Sequence, residues 1–111
     1  MLILQLKLKK YIDVNDGEFY LQILNAEKGE VSIKMLEQKE NGFYVEKNII
    51  KIKKGTSKKI LDGLSIAYIK GEQSRFKFGF FGDFTVIRKE QVNYKLEKKN
   101  QFSFDFDTEG Y

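Results

Sequence analysis

Basic side chains that alternate with apolar ones are the feature of this chain best suited to chemistry. Gln5, Lys7 and Lys9 alternate with leucines, and Lys51 and Lys53 alternate with isoleucines further along. Successive side chains of an extended strand point to opposite faces of a sheet, so each run places polar groups on one face and apolar groups in the core. Such a row of ammonium groups suits the phosphate backbone of a nucleic acid.

Arginine and tyrosine add groups that can contact nucleobases. An arginine fork can bridge to a base or stack on it, whereas lysine supplies undirected charge. The chain has two arginines, Arg75 and Arg88. Arg88 is the better candidate because Lys89 follows it at the end of an apolar strand, although a solvated strand end is the alternative interpretation. Tyrosines that could stack on bases, and for which packing is the favoured interpretation, are Tyr11, Tyr20, Tyr44, Tyr68 and Tyr94.

Catalytic and metal chemistry find little support in the composition. The chain has no histidine and no cysteine, which removes imidazole bases, thiol nucleophiles, disulfides and ordinary zinc ligands. Carboxylates such as Glu27, Glu30, Glu37 and Glu40 flank predicted turns, where solvation accounts for them. The glycines are scattered among turns and form no phosphate-binding signature. We therefore expect a protein that is not an enzyme and needs no cofactor or metal.

Charge is distributed unevenly along the chain. The net charge is −1 over residues 1–48, +8 over 49–99 and −3 over 100–111. A basic segment attracts polyanions, so RNA, DNA or an anionic surface is a candidate partner, and lysines that only solubilise strand faces are the alternative. The N-terminus has the pattern of a strand rather than of a signal peptide, and no long apolar run follows it. We expect a cytoplasmic protein without membrane contact.

The elements that position these residues are predicted to be strands. Period-two alternation of β-branched and aromatic residues, punctuated by Gly, Asn and Asp, is typical of an all-β protein. Strands are predicted near residues 2–8, 11–14, 18–24, 31–36, 43–53, 57–61, 64–69, 75–81 and 84–88. Residues 89–99 differ, because Val92 and Leu96 are spaced four apart among charged neighbours, and they predict one short helix.

A small β unit is predicted to occur twice, at a shift of about 46 residues. Asp16-Gly17 opens the strand-turn-strand run 18–35, and Asp62-Gly63 opens the similar run 64–80. Half a chain of this length is marginal as an independent domain. We therefore predict one compact domain in which two similar five-stranded units share one core as a pseudo-twofold single-chain dimer. The domain spans 1–111, with a first repeat at 1–48, a second at 49–99 and a tail at 100–111.

The tail has a pattern of its own. Phe102, Phe104 and Phe106 alternate with polar and acidic residues, so that their rings share one face of an extended chain. The favoured interpretation is a final packed strand, because three exposed phenylalanines invite aggregation. The alternative is a regulatory strand that docks on the basic second half and competes with a polyanion.

Two ordered sets of short motifs lie along the chain. Those of the first half are Met1-Leu2-Ile3-Leu4, Lys7, Tyr11–Val14, Asp16-Gly17, Leu21–Leu24 and Val31–Ile33. Those of the second half are Lys53–Ser57, Ile69–Gln73, Phe76–Phe80 and Thr85–Glu90. Together they resemble the carbon storage regulator family of bacterial mRNA-binding translational repressors, over roughly residues 1–36 and 51–96.

This resemblance implies an RNA-binding post-transcriptional regulator. Members of the family are homodimers with interleaved strands, and each RNA site combines the first strand of one protomer with the fifth strand of the other to bind a GGA-containing segment. A duplicated chain then carries two composite sites for an mRNA leader or a small RNA. The first is Gln5 and Lys7 with Val86, Ile87, Arg88 and Lys89, and the second is Lys51 and Lys53 with Val45 and Lys47, where Glu46 is expected to weaken binding.

Departures from the family fall mainly on the first strand and the turn after it. Leu6-Lys7 stands where the family has a basic pair, and the usual Gly-Glu becomes Lys9-Lys10 in the first half and Gly55-Thr56 in the second. The chain also has no proline, which the family uses before its last strand. The alternative function is a non-enzymatic protein-interaction module that has lost RNA binding and engages a protein partner through a strand edge or the tail.

Overall fold

Nine β-strands account for the regular structure of residues 1–27, 29–72 and 74–97, the part of the chain that this computed structural model describes. They are β1 (Leu2–Lys7), β2 (Tyr11–Val14), β3 (Phe19–Glu27), β4 (Glu30–Gln38), β5 (Tyr44–Lys53), β6 (Ser57–Leu61), β7 (Leu64–Glu72), β8 (Arg75–Gly82) and β9 (Val86–Lys89). Each overlaps one predicted strand, and the all-β prediction is confirmed. β3, β4 and β7 extend beyond the predicted ends because their antiparallel ladders continue almost to the turns.

The predicted helix near 89–99 is wrong for the residues that are described. β9 ends at Lys89, and residues 90–97 are not helical. We call residues 90–97 the C-terminal strap. Nor does any described segment form a helix of the length and apolarity that a membrane crossing requires. Residues 98–111, with the predicted tail strand, lie outside the described part of the chain.

Contacts with sheet residues explain why the strap is not a helix. The N–H of Tyr44 donates to the carbonyl of Lys95, and the N–H of Glu97 donates to the carbonyl of Tyr44, both at 2.8 Å. These bonds need an extended backbone, and tertiary contacts of this kind override a weak helical propensity. The ring of Tyr94 also packs in a tyrosine cluster, which consists of Tyr11, Tyr20, Tyr44 and Tyr94.

The strands form two antiparallel sheets, and each sheet contains strands from both halves of the chain. Sheet A has four strands in the order β1-β8-β7-β6, and sheet B has five in the order β5-β4-β3-β2-β9. The runs β2-β3-β4 and β6-β7-β8 are three-stranded meanders. The strand before each meander pairs with the last strand of the other meander, because β1 pairs with β8 and β5 pairs with β4. β9, which follows the second meander, likewise crosses to β2.

The turns before the two meanders have equivalent hydrogen bonds, with donors 46 residues apart and acceptors 45 residues apart. Lys9 and Gly55 both have positive φ, at 68° and 82°. The N–H of Lys9 donates to the carbonyl of Ile23 at 2.7 Å, and the N–H of Gly55 donates to the carbonyl of Tyr68 at 2.7 Å. A β-bulge follows Ile23 in β3, and another follows Tyr68 in β7. The two turns and the bulges that follow their acceptors therefore share this local geometry.

The two sheets pack over one hydrophobic core. Alternate residues of each strand face inward, and Ile12 of sheet B and Phe78 of sheet A are fully buried. Within residues 1–27, 29–72 and 74–97, neither sheet has another layer on which to bury this face, so each stabilises the other. The core cluster consists of Leu6, Ile12, Val14, Leu21, Ile23, Val31, Ile33, Met35, Ile52, Leu64, Ile66, Tyr68, Phe76, Phe78 and Phe80.

Candidate nucleic-acid interface

Strands from different sheets meet where β1 lies beside β9. β1 is an edge strand of sheet A, and β9 is an edge strand of sheet B. The guanidinium Nη1 of Arg88 donates a hydrogen bond to the backbone carbonyl of Gln5 at 2.9 Å. Gln5 and Arg88, which the sequence places 83 positions apart, are thus brought together as predicted residues of one site.

A buried carboxylate fixes β9 at this edge. Asp13 of β2 lies opposite Ile87 of β9 and is only 3% exposed. Its Oδ1 accepts the N–H of Gly17 at 2.6 Å, and its Oδ2 lies 3.6 Å from Nζ of Lys89. A buried charge needs such partners. Lys89 therefore holds β9 on β2 from the outer face, while the neighbouring Arg88 points the other way, toward β1.

Cations from several elements line an open cleft of about 210 Å³ at this junction, which we call the β1–β9 cleft. Lys7 of β1 lies opposite Arg75 of β8, and Lys10 comes from the turn before β2. With Arg88 of β9, these side chains bring four positive charges to one concave surface. The residues that line the cleft are Gln5, Leu6, Lys7, Lys10, Arg75, Arg88 and Glu90.

Glu90 is the acidic residue of the β1–β9 cleft. Its Oε1 lies 3.0 Å from Nζ of Lys10. The hydrogen bond and charge of Lys10 lower the pKa of Glu90, and the charges of Lys7 and Arg88 lower it further. Glu90 therefore stays ionised at neutral pH. Because four cations face one carboxylate, the cleft keeps an excess of positive charge that attracts anions.

The remaining predicted residues of the first site differ in their surroundings. Val86 is half-buried and packs against the core, so it anchors the inner face of β9. Ile87 is 46% exposed and faces away from the core. Lys89 is held by Asp13 on the outer face of sheet B. Of the predicted set, the cleft itself therefore contains Gln5, Lys7 and Arg88.

The structure does not bring the predicted second site together. Val45 and Lys47 lie on β5, the same strand as Lys51 and Lys53, so they follow one another along a strand instead of facing each other across two strands. Nζ of Lys47 is 3.1 Å from Oε1 of Glu37, which engages it in an ion pair. About 13 Å separate positions 47 and 51 along an extended strand. No composite surface forms from these four residues.

Lys58 shows why sheet A has no fifth strand among the described residues. It lies opposite Ile66 of the core, so its side chain starts from the inner face of the edge strand β6. Its Nζ reaches across to β5 and donates to the carbonyl of Lys51 at 3.1 Å. A charged side chain that starts from the inner face of an edge strand discourages the addition of another strand.

The corresponding strand of sheet B, β2, has the opposite character. A shift of 46 residues relates Lys58 to Ile12 and Lys59 to Asp13. Ile12 is fully buried beneath the β9 edge, and Asp13 binds Lys89. β2 therefore presents groups that suit a covering basic strand, whereas β6 carries two lysines at the same positions.

Tyrosines serve packing in this structure. Tyr68 stacks on Phe78 in the core, with ring centroids 5.5 Å apart. In the tyrosine cluster, Tyr44 stacks on Tyr20 at 5.1 Å, and its hydroxyl donates to the carbonyl of Gly17. Burial, helped by the hydrogen bond with Tyr20, raises the pKa of Tyr44 to about 12, so this hydroxyl remains a donor.

The sequence did not predict three of the residues that line the cleft. They are Lys10, Arg75 and Glu90. Arg75 enters the cleft through the pairing of β1 with β8, where it lies opposite Lys7. Alternation predicts which face of a strand a residue occupies but not which strand lies beside it. The signal that could have found Arg75 is its place at the start of a strand in the basic half of the chain.

Comparisons of the chain with protein-family models, with curated proteins and with solved structures found no match. The function of the β1–β9 cleft is therefore inferred from its geometry and charge. The resemblance of the sequence motifs to carbon storage regulators stays a prediction.

Proposed function

We propose that this chain is a non-enzymatic, RNA-binding regulator that acts after transcription in a bacterial cytoplasm and binds single-stranded or loop RNA in the β1–β9 cleft. The observation that carries the proposal is the convergence of Lys7, Lys10, Arg75 and Arg88 around one concave surface. Phosphates require cations at several points along their backbone. Lys7, Arg75 and Arg88 lie on strands, which fix such points more rigidly than loops do.

The repeated backbone geometry supports a second part of the proposal, that the chain is a duplicated unit equivalent to an interleaved dimer. The exchange of β1 and β5 between the meanders is the arrangement that two interleaved protomers would have. The matching turns at Lys9 and Gly55 and the matching bulges after Ile23 and Tyr68 support the same interpretation. Divergence of the β6 edge then leaves one composite site in place of two.

The cleft offers two kinds of contact to RNA. Lys7 and Lys10 supply compact charges that suit phosphate oxygens without directional preference. Arg75 and Arg88 present planar forks that can bind a phosphate through two hydrogen bonds or stack on an exposed base. Arg88 already uses Nη1 on the carbonyl of Gln5, which orients the rest of its fork. We therefore assign positioning of the RNA chain to the lysines and the directional contacts to the arginines.

Salt dependence tests the proposal. With three or four phosphates neutralised in a single strand, the logarithm of affinity should fall with the logarithm of salt concentration at a slope of about −2 to −3. Between 50 and 200 mM salt, we expect affinity for a hairpin RNA with GGA in its loop to fall about 20- to 50-fold. Fluorescence anisotropy with a labelled hairpin measures this slope. A flat salt response would contradict phosphate binding.

A protein-interaction function is the second candidate, and exposed apolar residues on sheet A favour it. Met1, Ile3 and Phe81 are 70%, 48% and 43% exposed. In sheet A, Ile3 and Phe81 face away from the core, since their strand neighbours face it. A partner bound on this apolar surface should respond weakly to salt and to loss of Arg88. Failure of the hairpin to bind at low salt would favour this function over RNA binding.

A further inference from the structure

The position of Glu90 is unexpected for a surface that binds only phosphates. A carboxylate in such a cleft repels the phosphate backbone, yet Glu90 lines the β1–β9 cleft beside Arg88 and Gln5. It directly follows Lys89, whose ion pair with Asp13 fixes the end of β9. Its own side chain is 78% exposed and meets Lys10 through Oε1. Glu90 is thus held at the cleft and remains open to solvent.

The chemistry of a carboxylate suits one nucleobase best. An ionised carboxylate only accepts hydrogen bonds, through two oxygens with about four lone-pair positions. The Watson–Crick edge of guanine presents two adjacent donors, N1–H and the N2 amino group, which two carboxylate oxygens can accept in parallel. Adenine, cytosine and uracil each place an acceptor beside their donor, and this acceptor would face a carboxylate oxygen. Unpaired bases in RNA loops expose this edge to proteins.

We propose that Glu90 accepts hydrogen bonds from the Watson–Crick edge of an unpaired guanine and so selects guanine at one position of the RNA. This inference rests on the proposed RNA-binding function. In it, Lys10 orients the carboxylate of Glu90, while Lys7, Arg75 and Arg88 remain available to the neighbouring phosphates. The low pKa of Glu90 is consistent with this role, since a protonated carboxyl group would turn one acceptor into a donor.

The test combines a substitution in the protein with one in the RNA. Inosine has the N1–H of guanine but lacks its N2 amino group, so each loop guanine of the hairpin is replaced by inosine in turn. We expect the wild-type protein to lose about tenfold in affinity at one position, because a hydrogen bond to a charged group is lost. The Glu90→Gln variant should bind the guanine hairpin more weakly and should not distinguish inosine from guanine there. Glu40→Gln, which makes the same charge change at an exposed residue outside the cleft, should behave as wild type.

The direction of the change in affinity caused by Glu90→Gln distinguishes guanine recognition from electrostatic repulsion of phosphate. If Glu90 only repels phosphate, Glu90→Gln will bind every hairpin more tightly and keep the inosine response of the wild type, and that result overturns the assignment of Glu90 alone. If the wild-type protein binds no hairpin at low salt, the proposed function fails and the assignment fails with it. Coupled loss of affinity and of inosine discrimination in Glu90→Gln supports both.

Discussion

Replacing Phe78 with alanine is expected to lower the free energy of unfolding by about 3–5 kcal/mol, the usual range for removing a buried aromatic side chain. Phe78 is fully buried in β8, lies opposite Leu4 of β1 and Tyr68 of β7, and stacks on the ring of Tyr68. Because both sheets pack on this core, the cavity would weaken the contact between them. Urea denaturation followed by circular dichroism measures the loss.

Phe81→Ala in the same strand is the matched control. Its side chain is 43% exposed and lies on the outer face of sheet A, three residues beyond Phe78. Truncating an exposed side chain changes stability by about 0.5 kcal/mol or less in most proteins. Equal destabilisation by the two substitutions would contradict the placement of the core between the sheets.

Replacing Arg88 with alanine is expected to lower affinity for the GGA hairpin about 10- to 100-fold, the range for losing one directional arginine contact. Arg88 links β9 to β1 through the carbonyl of Gln5 and supplies one of four cations in the β1–β9 cleft. Its side chain lies at the surface, so the core should survive the change. Arg88→Lys should recover part of the affinity because it restores the charge without the planar fork.

Lys54→Ala controls for loss of charge alone. Lys54 is exposed near the β5–β6 turn and does not line the β1–β9 cleft. Removing it lowers the net charge as much as removing Arg88 does, so a general electrostatic effect would weaken RNA binding equally in both variants. We expect Lys54→Ala to change affinity less than threefold or so, as is typical of a distant exposed charge. Equal losses of affinity in the two variants would show that binding depends on the overall charge and not on the cleft.

Strand positions could be predicted from the sequence because alternation reports directly on which residues are buried. In β3, the buried residues Leu21 and Ile23 alternate with half-buried ones. The predicted helix failed because Val92 and Leu96 supply only one apolar pair, and the docking of Tyr94 on the tyrosine cluster requires an extended strap. A periodic pattern predicts secondary structure well when it extends over many residues and poorly when it rests on a single apolar pair.

The composition of the site was harder to predict because it depends on pairing between distant strands. The proximity of Gln5 and Arg88 followed only from the resemblance to an interleaved dimer, since no local signal relates β1 to β9. In the sequence, Lys58 and Lys59 have the same pattern as lysines that only solubilise a strand. In the structure, Lys58 of β6 lies opposite the buried Ile66 of β7, and its exposed side chain reaches the backbone of β5.

The number of hairpin RNAs bound by each chain tests the central claim, a single composite RNA site in the β1–β9 cleft. Isothermal titration at low salt would compare a hairpin with GGA in its loop with a scrambled-loop hairpin of the same length. We predict one GGA hairpin per chain at saturation, bound more tightly than the scrambled control. Two hairpins of equal affinity per chain, or equal binding of both loops, would contradict the claim.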